Sequence, residues 1–276
     1  MSPSTPRTVL ITGCSTGIGR AAALACMGAG HVTWATARDA SSVAGLEAAG
    51  CRVLALDVTD EASMAAAVKA VEAEQGAVGA LVNNAGYSQS GAVETLSMDD
   101  LRRQFETNVF GLVRMTQLVL PHMREQGWGR VVNLSSMGGE FTFPLGGAYH
   151  GTKYAVEALS DALRVEVAPF GVRVVVVQPG PIRSGFEATA DEQLRRYADG
   201  PYARIVEGFG KLMRLAYDSR TAGKPEAVAK AIVRAISDDR PPTRLKVTPQ
   251  AHVLTRARRF TPDRVWDAAM SRSLPR

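Results

Sequence analysis

The chain has 276 residues, of which 46% are hydrophobic and 21% charged, the balance of an ordinary globular protein with one large α/β domain or two small ones. No stretch approaches the roughly 18 consecutive apolar residues that a membrane span needs, and Met1–Arg7 has no apolar core and is not read as a signal peptide. The net charge of +5 gathers late: residues 200–276 carry 16 Lys and Arg against 7 Asp and Glu, while the first 199 carry 16 against 20.

No recognition motif accompanies the densest basic cluster, Arg256, Arg258, Arg259 and Arg264. It is read as a solvated face, not as a contact for nucleic acid or a membrane surface. Cys14, Cys26 and Cys51 are odd in number, widely spaced and without a metal-ligand pattern. They predict reduced thiols in a cytoplasmic protein and no metal site.

In chain order, Arg7–Ile11 is a short apolar strand. It runs into Thr12-Gly13-Cys14-Ser15-Thr16-Gly17-Ile18-Gly19 and then a helix from Arg20 to Gly28. Between a strand and a helix, such glycines allow a tight turn and close backbone approach, and the helix N-terminus offers free N–H groups to a pyrophosphate. His31–Ala37 is a second strand, ending at Arg38-Asp39. An acidic residue after this strand would bond a ribose 2′-hydroxyl, whereas an arginine accommodates a 2′-phosphate. With Arg38 first, NADP(H) is the preferred cofactor, and Asp39 keeps NAD(H) open.

Arg52–Leu56 is a third strand, closing on Asp57-Val58, where a carboxylate can bond the adenine amino group. A helix over Glu61–Gln75 and a fourth strand over Ala80–Asn83 lead to Asn84-Ala85-Gly86. Met98–Glu125 reads as helical, with Asn108 in its middle among Phe105, Val109, Phe110 and Leu112. An amide buried there is costly unless bonded; it is either a satisfied core amide or part of a proton relay. Arg130–Leu134 is a fifth strand ending at Ser135-Ser136, and Val172–Gln178 a sixth, ending at Pro179-Gly180-Pro181-Ile182-Arg183-Ser184. Pro225–Ser237 is a further helix and Arg244–Val247 a last strand.

This alternation predicts a single α/β domain over residues 1–276, a Rossmann-type doubly wound parallel sheet in three layers, α/β/α. Ligands in such sheets bind outside the carboxyl ends of the strands, where the glycine turn, Arg38, Asp57, Asn84, Ser136 and Pro179 all fall.

Tyr149 and Lys153 stand four apart at the start of an apolar-periodic run, Tyr154, Ala155, Leu159, Ala162 and Leu163. On a helix that spacing puts both on one face, about 5–6 Å apart at Cβ. A free phenol titrates near ~10, and a neighbouring ammonium favours phenolate, so Lys153 is expected to bring Tyr149 into a usable acid/base range. Ser136 can then hold a substrate oxygen while Tyr149 passes it a proton. His150, about 100° round the helix from Tyr149, is expected to point away from this chemistry.

Assembled, these residues resemble a short-chain dehydrogenase/reductase over nearly all of residues 7–247. The resemblance rests on Thr12–Gly19, Asn83–Gly86, Asn108, Ser136, Tyr149-x-x-x-Lys153 and Pro179-Gly180, in that family's order and spacing. The glycine motif and Ala-Thr-Ala-Arg-Asp after the second strand are similar to the branch containing hydroxysteroid and retinol dehydrogenases. The resemblance implies a catalytic set of Asn108, Ser136, Tyr149 and Lys153, with Tyr149 as general acid in reduction and base in oxidation. Lys153 would lower the Tyr149 pKa and bond the nicotinamide ribose, Ser136 would polarise the substrate oxygen, and Asn108 would hold a water linking Lys153 to solvent. Cofactor contacts implied alongside are Gly13, Ser15, Thr16, Gly17, Ile18, Gly19, Arg38, Asp57, Val58 and Asn84, with Pro179, Gly180, Ile182 and Ser184 at the nicotinamide. The family commonly has Thr where Ser184 stands; the hydroxyl is kept.

Phe186, Tyr202, Ile205, Phe209, Leu212, Met213 and Tyr217 recur on a roughly helical period, within a segment, 186–222, that in the family caps the substrate cleft. With Met137, Phe141, Phe143 and Leu145 they imply a hydrophobic pocket for a bulky ketone or secondary alcohol, steroid-, retinoid- or lipid-like. The amphipathic tail, 248–276 (Val253, Leu254, Phe260, Val265, Trp266), is expected to pack, with covering the cleft mouth, meeting a second subunit or lying on a membrane surface as the alternatives weighed. The resemblance favours a homodimer or homotetramer through the Asn108 and Tyr149 helices. An isomerase or dehydratase on the same fold is the runner-up among enzymes, disfavoured because this sequence shows no extra acid/base pair near the four residues, and a cofactor-binding sensor without turnover is the alternative of a different class.

Overall fold

Seven short strands pair in parallel to form one sheet. They are β1 (Thr8–Ile11), β2 (Val32–Ala37), β3 (Arg52–Ala55), β4 (Ala80–Asn83), β5 (Gly129–Leu134), β6 (Val172–Gln178) and β7 (Arg244–Lys246), in the spatial order β3-β2-β1-β4-β5-β6-β7. The computed structural model describes residues 7–185 and 192–272, so the Phe186 expected to line the pocket lies outside the described residues.

Alternate residues of each strand serve opposite faces. Val9, Ile11, Val132 and Val175 pack on α1 (Gly17–Gly28) and on Val228, Ile232 and Ile236 of the helix Pro225–Ser237. Leu10, Leu81, Val131 and Val174 pack on the other side against Met64, Val68, Met115 and Val119. Each large aliphatic side chain buried this way contributes roughly 1.5–3 kcal/mol. The expected single domain with a doubly wound parallel sheet is what forms, and its central strands β1, β4, β5 and β6 are buried on both faces.

The helices begin where the chemistry of caps places them. After the short α2 (Ala44–Glu47), Asp60 accepts hydrogen bonds from the N–H groups of Ala62 (2.9 Å) and Ser63 (3.2 Å) to start α3 (Glu61–Gln75). The rod expected over Met98–Glu125 is two helices, α4 (Met98–Phe105) and α5 (Gly111–Glu125), fused by a π-turn at Glu106–Phe110. That extra residue turns Asn108 inward and buried while leaving Phe110 56% exposed, so Phe110 is not the core neighbour of Asn108 that the sequence suggested. Gly111 packs its backbone on the loop after β3, where a Cβ would lie 2.3 Å from the Val58 carbonyl oxygen.

The remaining helices are α6 (Gly147–Val167), α7 (Ala203–Asp218), α8 (Pro225–Ser237), α9 (Pro249–Phe260) and α10 (Asp263–Arg272). Proline opens α8 and α9, and Thr248 caps α9 through the Ala251 N–H at 3.2 Å. The tail folds back over the β5 side: the Trp266 ring meets Phe141 edge-on at 5.4 Å.

Candidate active site

The chain reverses its direction of travel across the sheet between β1 and β4, which opens a crevice at their carboxyl ends. A cleft of about 1190 Å³ occupies it. Of the site residues named from sequence, all but Asn108 line this one cleft: the glycine turn, Arg38, Asp57, Val58 and Asn84 at one end, and Ser136, Tyr149, Lys153, Pro179, Gly180, Ile182 and Ser184 at the other.

The glycine turn fits a dinucleotide phosphate. Gly13 and Gly17 sit at φ +73° and +55°, and a Cβ on Gly19 would lie 2.2 Å from the Gly13 carbonyl oxygen. No side chain caps α1 among the described residues, since Thr16 at its N-cap makes no side-chain bond. Its first N–H groups and the positive end of its dipole therefore face the cleft. Asn84 holds this turn in shape, donating from Nδ2 to the carbonyls of Thr12 (2.8 Å) and Gly13 (2.9 Å). Thr12, which the sequence reading passed over, completes the clasp: its hydroxyl accepts from the N–H groups of Asn84 and Ala85, both at 3.0 Å. Its one legible signal is its place at the head of the glycine motif.

At the far end of β2, Asp39 and Arg38 divide their roles. The Asp39 carboxylate accepts from the Ser41 N–H (2.9 Å) and hydroxyl (2.7 Å), capping the turn Ala40–Val43. Those bonds hold its carboxyl below the usual range. Arg38 is exposed on the cleft wall and has no hydrogen-bond or ion-pair partner among the described residues. Asp57 likewise has one carboxylate oxygen engaged, by the Thr59 N–H and hydroxyl at 2.9 and 2.8 Å.

Ser136 lies two residues past the end of β5 and Tyr149 in the first turn of α6; their hydroxyls are hydrogen-bonded. Lys153 is buried one turn along, its Nζ 5.6 Å from the Tyr149 ring centroid and 2.7 Å from the Leu134 carbonyl oxygen to which it donates. Burial pushes the Tyr149 phenol up to about 12, and the bond to Ser136 pulls the other way. Burial pulls the Lys153 ammonium down to about 8, opposed by the charge of Glu157. In this structure burial dominates the Tyr149 phenol, and the Lys153 ammonium is turned to a backbone carbonyl.

Asn108 stands behind the cleft. Its Oδ1 accepts from the Tyr87 N–H (3.1 Å), and its Nδ2 donates to the Tyr87 carbonyl (3.0 Å) and to the Thr152 hydroxyl (3.2 Å). The amide clamps the π-turn to the loop after β4 and to α6, immediately beside Lys153, and does not itself reach the Lys153 ammonium. Thr152 in turn donates to the Tyr149 carbonyl at 2.6 Å.

The substrate side is walled by Met137, Phe143, Phe209, Met213 and Tyr217. Leu145, Tyr202 and Ile205 pack behind that wall, and Phe141 packs on Trp266 instead of facing the cleft. Arg103, Arg196 and Arg214 also border the cleft, so its rim is more basic than the apolar periodicity suggested. His150, expected to point away, is buried and lines the same cleft.

The sequence matches the family described as short chain dehydrogenase over residues 7–195. The chain belongs to the short-chain dehydrogenase/reductase family. Among curated members it is 34% identical over 267 residues to a 3-ketodihydrosphingosine reductase of Bacteroides thetaiotaomicron, covering 96% of this chain and 97% of the relative. It is 32% identical to an NADPH-dependent 3-dehydrocapnine reductase of Ornithobacterium rhinotracheale, covering 97% of each. A solved short-chain dehydrogenase from Streptomyces avermitilis superposes with a TM-score of 0.80 at 35% identity, covering 97% and 95%. Solved structures holding a nicotinamide nucleotide also match. One from Burkholderia phymatum is in complex with NAD (26% identity, TM-score 0.79, coverage 93% and 94%) and ElxO has NADP bound (25%, 0.74, 90% and 99%). The family makes this chain an oxidoreductase of the CH–OH/C=O type that uses a nicotinamide cofactor.

Proposed function

We propose that the protein is an NADP(H)-dependent reductase of a hydrophobic ketone, running in reverse as a secondary-alcohol dehydrogenase. The observation that carries the reading is the hydrogen-bonded pair Ser136–Tyr149 with Lys153 buried beneath it, opening onto an apolar wall at the carboxyl edge of the sheet. A bound nicotinamide would exchange a hydride with the substrate carbon. The chain's own residues would do the rest. Ser136 would hold the carbonyl oxygen, and Tyr149, protonated throughout the neutral range, would deliver its proton to that oxygen as charge develops. Lys153, an ammonium below about 8, would stabilise the phenolate left behind, and Asn108 would hold the π-turn and α6 in register. Gly13, Ser15, Thr16, Gly17, Ile18 and Gly19 would seat the pyrophosphate, Asp57 and Val58 the adenine, and Pro179, Gly180, Ile182 and Ser184 the nicotinamide.

The free guanidinium of Arg38, beside an Asp39 already committed to Ser41, supports NADP(H) over NAD(H). Two relatives named for the reduction of a 3-keto or 3-dehydro compound support the direction and a lipid-like substrate, which we place ahead of the steroid- or retinoid-like alternatives of the hydroxysteroid and retinol branch. Residues 192–222 are assigned to the cleft cap and 248–272 to a packed tail; the rest of the expected segments, 186–191 and 273–276, lies outside the described residues. Three buried free thiols fit a reducing, cytoplasmic setting.

The test is loss of NADPH absorbance, and separately of NADH, across a panel of apolar ketones. Turnover with NADPH is expected. In Arg38→Ala the KM for NADPH should rise tenfold or more while that for NADH changes little, because charge-assisted contacts to phosphate are the strong ones. Equal weakening of both would overturn the NADP(H) assignment. Tight NADPH binding with no turnover in either direction would favour a sensor.

A further inference from the structure

Sequence alone offered no motif to separate the basic cluster of the tail from a solvated face; the fold places exposed apolar side chains beside it. Helix α9 is held by its inner face. Ala251 and Thr255 are buried there, the Thr255 hydroxyl accepts from the Lys246 ammonium at 2.6 Å, and a Cβ on Gly180 would lie 2.2 Å from the Thr248 hydroxyl oxygen. Helix α10 is held through Trp266 on Phe141. Arg258 is spent internally, donating to the Thr261 carbonyl at 2.8 Å and pairing with Asp263. The outer face is different. Val253, Arg256 and Phe260 fall within about 60° of one another around α9, with Val253 64% and Phe260 75% exposed, and Val265 on α10 is 58% exposed. Arg256, Arg259 and Arg264 are exposed among them and have no hydrogen-bond or ion-pair partner among the described residues. Asp267 is the one unpaired carboxylate on these two helices.

We propose that the outer face of α9 and α10 docks on an anionic lipid surface, Val253, Phe260 and Val265 entering the headgroup region while Arg256, Arg259 and Arg264 meet lipid phosphates. Apolar residues interleaved with arginines on one exposed helical strip are what lying in a bilayer interface demands, and a basic segment is drawn to anionic lipid. A soluble polyanion would engage the arginines but leave Val253 and Phe260 in water. A second copy meeting this face across a two-fold axis would set the same arginines against one another, which charge opposes. The inner side of the tail adjoins the cleft, since α9 packs on Gly180, a residue of the cleft lining. One helix thickness, about 10–12 Å, then separates that lining from the lipid, close to where a lipid-like substrate is found. Docking itself does not depend on the ketone-reductase reading.

The experiment sediments the full chain with vesicles of phosphatidylcholine alone, and of phosphatidylcholine and phosphatidylglycerol in equal parts, at low and high salt. The parent should pellet with the mixed vesicles and not with the neutral ones, and less as salt rises. Val253→Ser with Phe260→Ser, and separately Arg256→Gln with Arg259→Gln and Arg264→Gln, should each weaken binding by about tenfold or more. All five side chains are exposed, so both variants should keep the parent's Tm and its turnover of a dissolved ketone. A control, Lys69→Gln with Arg102→Gln and Lys230→Gln, removes the same charge from exposed sites elsewhere and should bind like the parent. Absence of binding to the mixed vesicles overturns the proposal, as does equal weakening in the control, the pattern of attraction by net charge alone. A fall in mass by light scattering in Val253→Ser with Phe260→Ser overturns it too, assigning the face to a second copy. Vesicle binding that follows these variants in a protein that reduces no ketone leaves docking standing and overturns the reductase reading alone.

Discussion

Tyr149 carries the sharpest prediction at the scale of single residues. Tyr149→Phe removes the transferable proton and little volume, so ketone reduction should fall by about 10²–10⁴-fold while NADPH binding, followed by fluorescence titration, stays within a few-fold of the parent. Loss of binding instead would make Tyr149 structural. Because burial holds the phenol near 12, alcohol oxidation, which needs phenolate, should climb from neutral to alkaline pH while ketone reduction stays level. Lys153 gives a stability test with a definite sign. Its ordinary 10.5 is lowered to about 8, so folding disfavours the ammonium. That penalty is full below about 8 and fades as the pH rises to the ordinary lysine range. Lys153→Met should therefore be most favourable to the Tm, relative to the parent, at neutral pH, and the advantage should shrink toward pH 10.5 in thermal melts. A difference that grew with pH would show that the ammonium is held favourably.

At the scale of elements, the clasp between β1 and β4 is the part of the cofactor end most exposed to test. Thr12→Val leaves the Ala85 N–H without its acceptor, at about 1–3 kcal/mol, and the Asn84 N–H with the Val82 carbonyl alone. The expected outcome is a lowered Tm, an unchanged far-ultraviolet spectrum and an NADPH Kd raised several-fold by calorimetry. An unchanged Kd would show that the turn is held by its glycines alone. The same element shows what could be read in advance. Strand positions were legible because a strand buried on both faces is a continuous apolar run, and α3 because Asp60 caps it; Val172–Gln178 and Glu61–Gln75 came out at their observed bounds. Tyr149, Lys153 and Ser136 were legible as a motif. The clasp, the Asn108 clamp on Tyr87 and the cleft-facing ring of His150 were not, because each depends on which loop the sheet brings alongside, and helical angle alone placed His150 wrongly. Neither was the pKa of Tyr149, since spacing gives the neighbour but not the depth of burial.

For the molecule as a whole, no helix among the described residues is long and apolar enough to cross a membrane, yet α6 and the preceding rod carry apolar side chains into solvent. Phe110 is 56% exposed and Val165 71%, more than an isolated surface needs to leave uncovered on the two helices that the family resemblance singles out for assembly. We propose these two helices as the subunit interface of a homodimer or homotetramer. Phe110→Glu combined with Val165→Glu should lower the mass seen by light scattering to that of one chain, whereas an unchanged mass would place the interface elsewhere. Phe110 owes its outward position to the π-turn that also sends Asn108 inward. Removing one residue from Glu106–Phe110 would restore ordinary helical pitch and rotate all that follows by about 100°. The two positions are therefore geometrically coupled: losing the insertion would undo the amide clamp beside Lys153 and turn Phe110 from its exposed position in a single step.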